Sequence, residues 1–340
     1  MTESEAAYAC YHNRDIERAV RHFRRARAVG ENPNEAALER WLTMMSAGEF
    51  EEAWQESDRV LCHRQPCGHL PRHQRWVWDG RPLNGKSILV RCYHGLGDTI
   101  QFIRLIPQLQ EICSRVAVDA QPELLPLLPL SYTSALLPPC VEIELMELPH
   151  ILRLTPRTIP SRVPYLHILK PPDASPKFRL GLVWASGIWR PERSIPLELF
   201  SFLNQVPNLE VIPLQRGEVT RNLPQSSPRF SKPDFSNTSV LRTAQLIRTL
   251  DLVITTDTMV AHLAGALAAP VWTLLPFHAD WRWLHNRTDS PWYPTMRLFR
   301  QTTPGDWPEV VGRVRRELAG IVNFHGSQET DSALPERRNA

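Results

Sequence analysis

The hydrophobic pattern along this chain changes period near residue 87. Before that point, small and apolar side chains fall at helical spacing. Ile16, Ala19, Phe23 and Ala26 form one set, and Phe50, Ala53, Trp54 and Val60 form another. The sets echo each other: Asp15, Ile16, Ala19 and Ala26 are answered 34 positions later by Glu49, Phe50, Ala53 and Val60. Ala19 and Ala53 let paired helices approach closely, with Phe23 and Trp54 filling the space between them.

From residue 87 short apolar runs alternate with helical stretches. Strands are expected at Ser87–Cys92, Arg115–Asp119, Leu180–Ala185, Leu209–Leu214, Leu252–Thr256, Val271–Leu275 and Arg297–Arg300. Helices are expected at Asp98–Cys113, Pro196–Val206, Ser239–Leu250, Thr258–Leu267 and Asp306–Phe324. Such alternation implies an α/β fold, with parallel sheets covered by helices on both faces. The uncharged run from Thr258 to Ala279 is long enough to span a bilayer, but it holds His262, Pro270, Pro276 and His278. It reads as a buried helix followed by a buried strand.

Proline sharpens the domain map. Of the 340 residues, 31 are proline and 15 glycine, yet the first 65 residues contain only Pro33. Six prolines fall between Thr155 and Pro176, around a short strand-like YLHIL segment, which reads as a linker between two α/β domains. The polar end, GSQETDSALPERRNA, reads as a disordered tail. With 42% hydrophobic residues the chain can bury a sizeable core, so the proline excess does not imply global disorder.

Charge and cysteine exclude more than they assign. A net charge of +3 gives no case for nucleic acid as a partner. Arg14, Arg18, Arg21, Arg24, Arg25 and Arg27 form either a solvated helix face or a patch for an acidic partner. The six cysteines do not make a disulfide framework. Cys62, Cys67, His69 and His73 form either a Cys- and His-rich linker or a metal site, with spacing atypical of structural zinc. The start, MTESEAAYACYHNRD, does not read as a signal peptide, and the expected location is cytoplasmic, without an integral membrane segment. No Walker A loop or G-x-G-x-x-G occurs.

Three segments carry candidate chemistry. In RCYHGLGDTIQF, from Arg91 to Phe102, a strand gives way to a helix, with Gly95 and Gly97 allowing a tight turn and close approach. Asp98 either caps that helix or acts as a catalytic base. In LVITTDTMVAH, Asp257 and Thr258 stand at a strand-to-helix turn, where free backbone N–H groups suit a phosphate. His262 lies about one turn further, as either a core residue or part of the site. The third is GLVWASG, with Trp184 and Ser186, followed by Arg190, Arg193 and Ser194-Ile-Pro196. Arg193 is either an exposed loop arginine or a phosphate ligand.

The period of 34 resembles the tetratricopeptide helix-turn-helix repeat. Two repeats are too few for a free-standing solenoid, so they should pack on the rest of the protein or be the remnant of a longer array. From about residue 76 to 320 the chain resembles tetratricopeptide-containing glycosyltransferases of the heptosyltransferase family (glycosyltransferase family 9). The likeness is carried by DLVITTDTMVAHLAGALAAPVWTLLP, by the Trp-rich ADWRWLHNRTDSPWYPTMRLFRQ, by WDGRPLNGKSILVRCYHGLGDTIQFIR, and by RLGLVWAS with RSIPLELF. One departure stands out: Tyr93 and His94 occupy positions where tetratricopeptide members usually read Glu-Gln.

The resemblance implies a GT-B fold of two Rossmann-like domains with the active site in a cleft. A tetratricopeptide-like helical segment at 1–68 would precede an acceptor domain at 76–172, a donor domain at 177–324 and the tail at 325–340. It implies Asp98 as catalytic base and Trp184, Ser186, Arg193, Asp257, Thr258 and His262 around a nucleotide-sugar donor. His94, Gly95, Gly97 and Gln101 would lie on the acceptor side. The implied reaction is sugar transfer from an ADP-heptose-like donor to an acceptor hydroxyl of a glycan or protein, with no metal and no cofactor. The N-terminal helices could also hold a protein partner. The competing reading is a non-catalytic scaffold on a degenerate GT-B fold, motivated by Tyr93 and His94.

Overall fold

The computed structural model describes residues 1–62, 71, 77–132, 140–169, 175–231 and 239–332, with side chains to 322. Two compact units divide the chain: Met1–His167 together with His278–Pro294, and Ile168–Phe277 together with Thr295 onward. The Trp-rich stretch, expected within a donor domain at 177–324, thus groups with the N-terminal unit.

The first unit opens with four helices, α1 (Glu3–His12), α2 (Ile16–Ala28), α3 (Ala37–Ala47) and α4 (Phe50–Cys62). Thr2 and Glu5 form a capping box on α1, and Asp15 caps α2 by accepting from the Arg18 N–H. Gly48, at φ 83°, ends α3 in the left-handed conformation that favours glycine. Helix α2 buries Ile16, Ala19, Val20, Phe23 and Ala26, and α4 buries Phe50, Ala53 and Trp54, so the echoed positions are core positions. The arginine face is partly matched from α4 and the residue before it: Arg24 pairs with Glu52 and, at 3.3 Å, with Glu49. These helices pack on the α/β part of the unit. Trp54 Nε1 donates to the Leu154 carbonyl at 2.6 Å, and Asp58 meets His150 at 2.8 Å and Arg153 at 2.7 Å.

A parallel sheet of order β2-β1-β3 follows, from β1 (Ser87–Arg91), β2 (Arg115–Asp119) and β3 (Val141–Glu144). Ile88 pairs with Val116 on one side and Val141 on the other. Sequence reasoning missed β3, whose four residues alternate apolar and acidic in a pattern too short to stand out. The single helix expected at Asp98–Cys113 is instead α5 (Leu96–Phe102), a 3-10 turn (Ile103–Leu105) and α6 (Ile106–Ile112). Pro107 has no N–H to offer the preceding turn, which interrupts the ladder there. The short helix α7 (Leu148–Ile151) follows β3. The expected YLHIL strand does not form.

The second unit holds a five-stranded parallel sheet of order β5-β4-β6-β7-β8. Its strands are β4 (Phe178–Val183), β5 (Leu209–Pro213), β6 (Leu252–Thr256), β7 (Val271–Leu275) and β8 (Met296–Arg300). Its helices are α8 (Val240–Ile247), α9 (Met259–Ala266) and α10 (Trp307–Ser332). Both β6 and β7 are buried at every position, as central strands of a doubly covered parallel sheet must be. Leu197–Gln205, expected as an α-helix, is 3-10 helical. Its buried Leu197, Phe200 and Leu203 recur every third residue, matching three residues per turn. Helix α10 runs beyond the expected end at Phe324 into the segment read as tail, and 333–340 lie outside the described residues. Among the described residues no helix is long and apolar enough to cross a membrane.

Candidate functional site

Each sheet gathers candidate residues at the carboxyl ends of its strands, where open parallel sheets bind ligands. In the first unit β1 leads through Cys92, Tyr93 and His94 into α5. Asp98 does cap this helix, but from the third position of a capping box and not from the N-cap itself. Gly95 is the N-cap, and Asp98, three residues on, reaches back so that Oδ2 accepts the Gly95 N–H at 3.0 Å. A Cβ on Gly95 would lie 3.2 Å from that oxygen, a tight contact that the Asp98 side chain would have to ease by a few tenths of an ångström. The other oxygen, Oδ1, is 3.0 Å from Nη2 of Arg282. Arg282 is a buried residue from the Trp-rich stretch, and Asp98 keeps 24% of its side-chain surface exposed. Gly97 lies within the first turn of α5. Gln101 is fully buried, and neither amide atom finds a partner among the described residues.

A second carboxyl lies close by. Glu144, at the end of β3, accepts the Tyr93 N–H at 3.3 Å and the Met146 N–H at 2.6 Å, and its Oε2 is 3.7 Å from Nε2 of His94. Burial pushes its carboxyl up to about 8, against the two N–H donors and with help from the charges of Glu147 and Asp98. Near neutral pH this group is largely a neutral acid. Gln121 fixes the same loop, donating Nε2 to the His94 carbonyl at 2.8 Å and accepting from Thr99 Oγ1 at 3.0 Å. Burial likewise raises the Cys92 thiol to about 12, so it is no thiolate nucleophile.

In the second unit β6 ends at Thr256 and α9 begins at Met259. Thr258 is the N-cap with extended backbone, but its side chain makes no capping bond; its Oγ1 lies 3.2 Å from Thr255 Oγ1. Thr258 therefore caps none of the first-turn N–H groups. Asp257 is buried, with Arg193 Nη1 at 3.3 Å from its Oδ2 and 3.3 Å from its carbonyl oxygen. The Thr256 hydroxyl donates to the Arg193 carbonyl, tying the arginine loop to the end of β6. His262, also buried, has Nε2 4.0 Å from Asp257 Oδ1. Arg193, Asp257, Thr258 and His262 thus form one cluster.

Trp184 does not join it as an open side chain. Its ring belongs to the core of the unit and stacks on Phe230 at 5.6 Å. Its N–H and that of Ala185 both donate to Oε1 of Gln215, a buried residue that sequence reasoning missed. Ser186 closes the following loop, donating its N–H to Ser194 Oγ and its hydroxyl to the Arg190 carbonyl. Ile188 and Trp189, at the tip of that loop, are almost fully exposed.

Of the Cys/His group only Cys62 lies within the described residues; Cys67, His69 and His73 lie outside them. The described residues contain no group of three or more His, Cys, Asp or Glu arranged to hold a metal.

No family model matches the chain. Protein FlbA of Caulobacter vibrioides is 23% identical over 382 aligned positions, covering 91% of this chain. The chain spans only 61% of the length of that relative. Among solved structures, the dodecameric iron-containing heptosyltransferase TibC of enterotoxigenic E. coli, solved in complex with ADP-D-β-D-heptose, is 14% identical. That match covers 68% of this chain and 67% of the other, with a TM-score of 0.48. A glycosyltransferase family 9 protein of Veillonella parvula is 11% identical, covering 65% of this chain and 87% of that one, with a TM-score of 0.43. At these scores the likeness does not fix a shared fold, and the functional reading rests on the residues themselves.

Proposed function

We propose that this chain is a metal-independent glycosyltransferase of GT-B type that uses a nucleotide-diphosphate-sugar donor of the ADP-heptose kind. The observation that carries the reading is the turn after β6. It combines a helix N-terminus whose N-cap side chain makes no capping bond and a guanidinium, that of Arg193, held beside it. A diphosphate suits this combination, because backbone N–H groups, the helix dipole and a charge-assisted donor converge on its oxygens. The sequence motifs from residue 76 to 320 support the same reading.

In the proposed reaction an acceptor hydroxyl attacks the anomeric carbon of the donor sugar. Its proton passes to the Asp98 carboxylate, and the bond from the anomeric carbon to the diphosphate oxygen breaks. The nucleoside diphosphate leaves with the bonding electrons, and Arg193 and the first turn of α9 stabilise its charge in place of a metal. Glu144, held largely neutral, leaves Asp98 as the base. The acceptor is a glycan or protein hydroxyl, the N-terminal helices are tetratricopeptide-like, and the setting is cytoplasmic, where nucleotide sugars are made.

A donor screen tests the proposal. A true donor at about 100 times its Kd adds roughly 2.7 kcal/mol of stability, read as a rise in Tm. Asp98→Asn should keep that rise and lose about 10²- to 10⁴-fold in transfer rate, the usual contribution of a positioned base. Absence of any shift across nucleotide diphosphates and nucleotide sugars would replace the enzyme with a scaffold. Unchanged transfer by Asp98→Asn would remove the base from the mechanism.

A further inference from the structure

Arg282 had no role assigned by sequence, yet it reaches the carboxylate on which the proposed reaction depends. We infer that Arg282 is the positioning residue of Asp98, and that helices α3 and α4 hold it in place through Trp281. The inference rests on the glycosyltransferase reading for its catalytic consequence, but the geometry stands without it.

The Asp98 carboxylate is gripped at both oxygens from different parts of the chain, by the Gly95 N–H at 3.0 Å and by Arg282 Nη2 at 3.0 Å. One donor alone would leave the side chain free to pivot; two fix the carboxylate plane. Each oxygen keeps a further acceptor direction, so a hydroxyl can still approach. Arg282 is itself fixed. Its Nε lies 3.3 Å from Oδ1 of Asp280, and that same oxygen accepts the Arg282 backbone N–H at 3.1 Å. The guanidinium lies over the ring of Phe102, which belongs to α5, at 5.5 Å.

The neighbour of Arg282 in sequence explains what holds this strap. Trp281 is buried, edge-on to Trp41 of α3 at 5.8 Å and to Phe50 of α4 at 5.9 Å, and stacked on Phe102 at 6.4 Å. The His285 N–H donates to the Ser46 carbonyl in α3 at 2.7 Å. Aromatic pairs of this kind add to burial and are geometrically specific. The N-terminal helices are thus a brace for the segment that delivers Arg282, which gives them a task inside the unit.

The test is a set of variants of the full chain: Arg282→Met, Arg282→Lys, Arg282→Gly, Asp98→Asn, Trp41→Leu, and the pairs Arg282→Met/Asp98→Asn and Arg282→Met/Trp41→Leu. Arg282→Met should lower kcat about 10- to 100-fold with donor KM unchanged, and Arg282→Lys should recover part of the loss. Millimolar guanidinium should restore part of the activity of Arg282→Gly and none of that of Asp98→Asn, a rescue that a merely structural arginine would not show. Trp41→Leu should lower kcat less, and add nothing once Arg282 is gone. Full kcat in Arg282→Met beside an inactive Asp98→Asn overturns the positioning role and leaves the base intact. Full activity in Asp98→Asn overturns the base instead. If no donor supports transfer, Tm still decides the pair: the Arg282→Met and Asp98→Asn effects must be non-additive, and simple addition overturns the inference.

Discussion

Glu144 makes the pH dependence of stability a direct probe of the candidate site. Its carboxyl lies at about 8 in the folded protein against 4.5 for an ordinary glutamate, chiefly through burial. Between those values the folded protein holds a proton that the unfolded chain has released. Stability from this group is therefore fully present below about 4.5 and is lost as pH rises towards 8. The slope is roughly 1.4 kcal/mol per pH unit inside the window, and the full difference of pKa corresponds to about 5 kcal/mol. Glu144→Gln removes the titration and keeps the shape. It carries a cost of its own, since an amide nitrogen must face one of two N–H donors. The longer contact, to Tyr93 at 3.3 Å, is the one to give way. That cost is about 1 kcal/mol and does not vary with pH. Urea unfolding of both proteins from pH 5.5 to 8 separates the terms, because other titrating groups cancel in the difference. The variant should already be slightly the more stable at pH 5.5, and its lead should grow steadily to roughly 3 kcal/mol by pH 8. A difference that stays constant over that range would show that Glu144 is ionised in the folded protein, and Glu144 would then stand beside Asp98 as a second candidate base.

Other substitutions probe the remaining contacts. Arg193→Met removes the partner of the buried Asp257 and the proposed diphosphate ligand, so the donor-dependent rise in Tm should shrink by the equivalent of about 10- to 100-fold in Kd; an unchanged rise excludes the arginine from the donor site. Gly181→Ala places a Cβ 2.5 Å from Leu250 Cδ1 and 2.7 Å from Leu214 Cδ1, and should lower stability by about 1–3 kcal/mol in chemical denaturation. Trp54→Phe keeps most of the packing but strands the Leu154 carbonyl, costing about 1–2 kcal/mol, again measured by denaturation.

How much of this was legible in the sequence depends on the range of the interaction. Strands β2, β6 and β7 have the bounds the apolar runs indicated, because a buried parallel strand needs little more than such a run. The repeat of 34 positions marked the starts of α2 and α4. Asp257, Thr258 and His262 share a strand-turn-helix segment, so their proximity follows from local geometry. Arg193 needed more, since 64 residues separate it from Asp257, and only the basic loop before Ser194 hinted at it. Arg282 was out of reach. The Trp-rich run announced a packed segment, but nothing in its spacing says that it returns to the first unit and meets Asp98. Glu144 was hidden for a different reason: an acidic residue in a short alternating run looks solvent-facing, and only the sheet order places it between β1 and its loop.

The departure at Tyr93 and His94 weighs less against activity than the sequence alone implies. Two of the contacts that hold this loop to its framework come from the backbone: the Tyr93 N–H bonds to Glu144 and the His94 carbonyl accepts from Gln121. Any residue other than proline supplies those two groups. Asp98 reaches back to the backbone N–H of residue 95, and the partner of its second oxygen comes from a distant segment. Replacing a Glu-Gln pair here therefore changes which side chains the loop presents and leaves the placement of the carboxylate intact. That argues for a changed acceptor before it argues for a lost reaction. The imidazole of His94, 3.7 Å from Glu144, is the side chain to test for a part in acceptor choice. His94→Gln should accordingly alter acceptor preference while the donor-induced rise in Tm stays as in the wild type, and a variant that loses the donor response instead would place the fault in the framework.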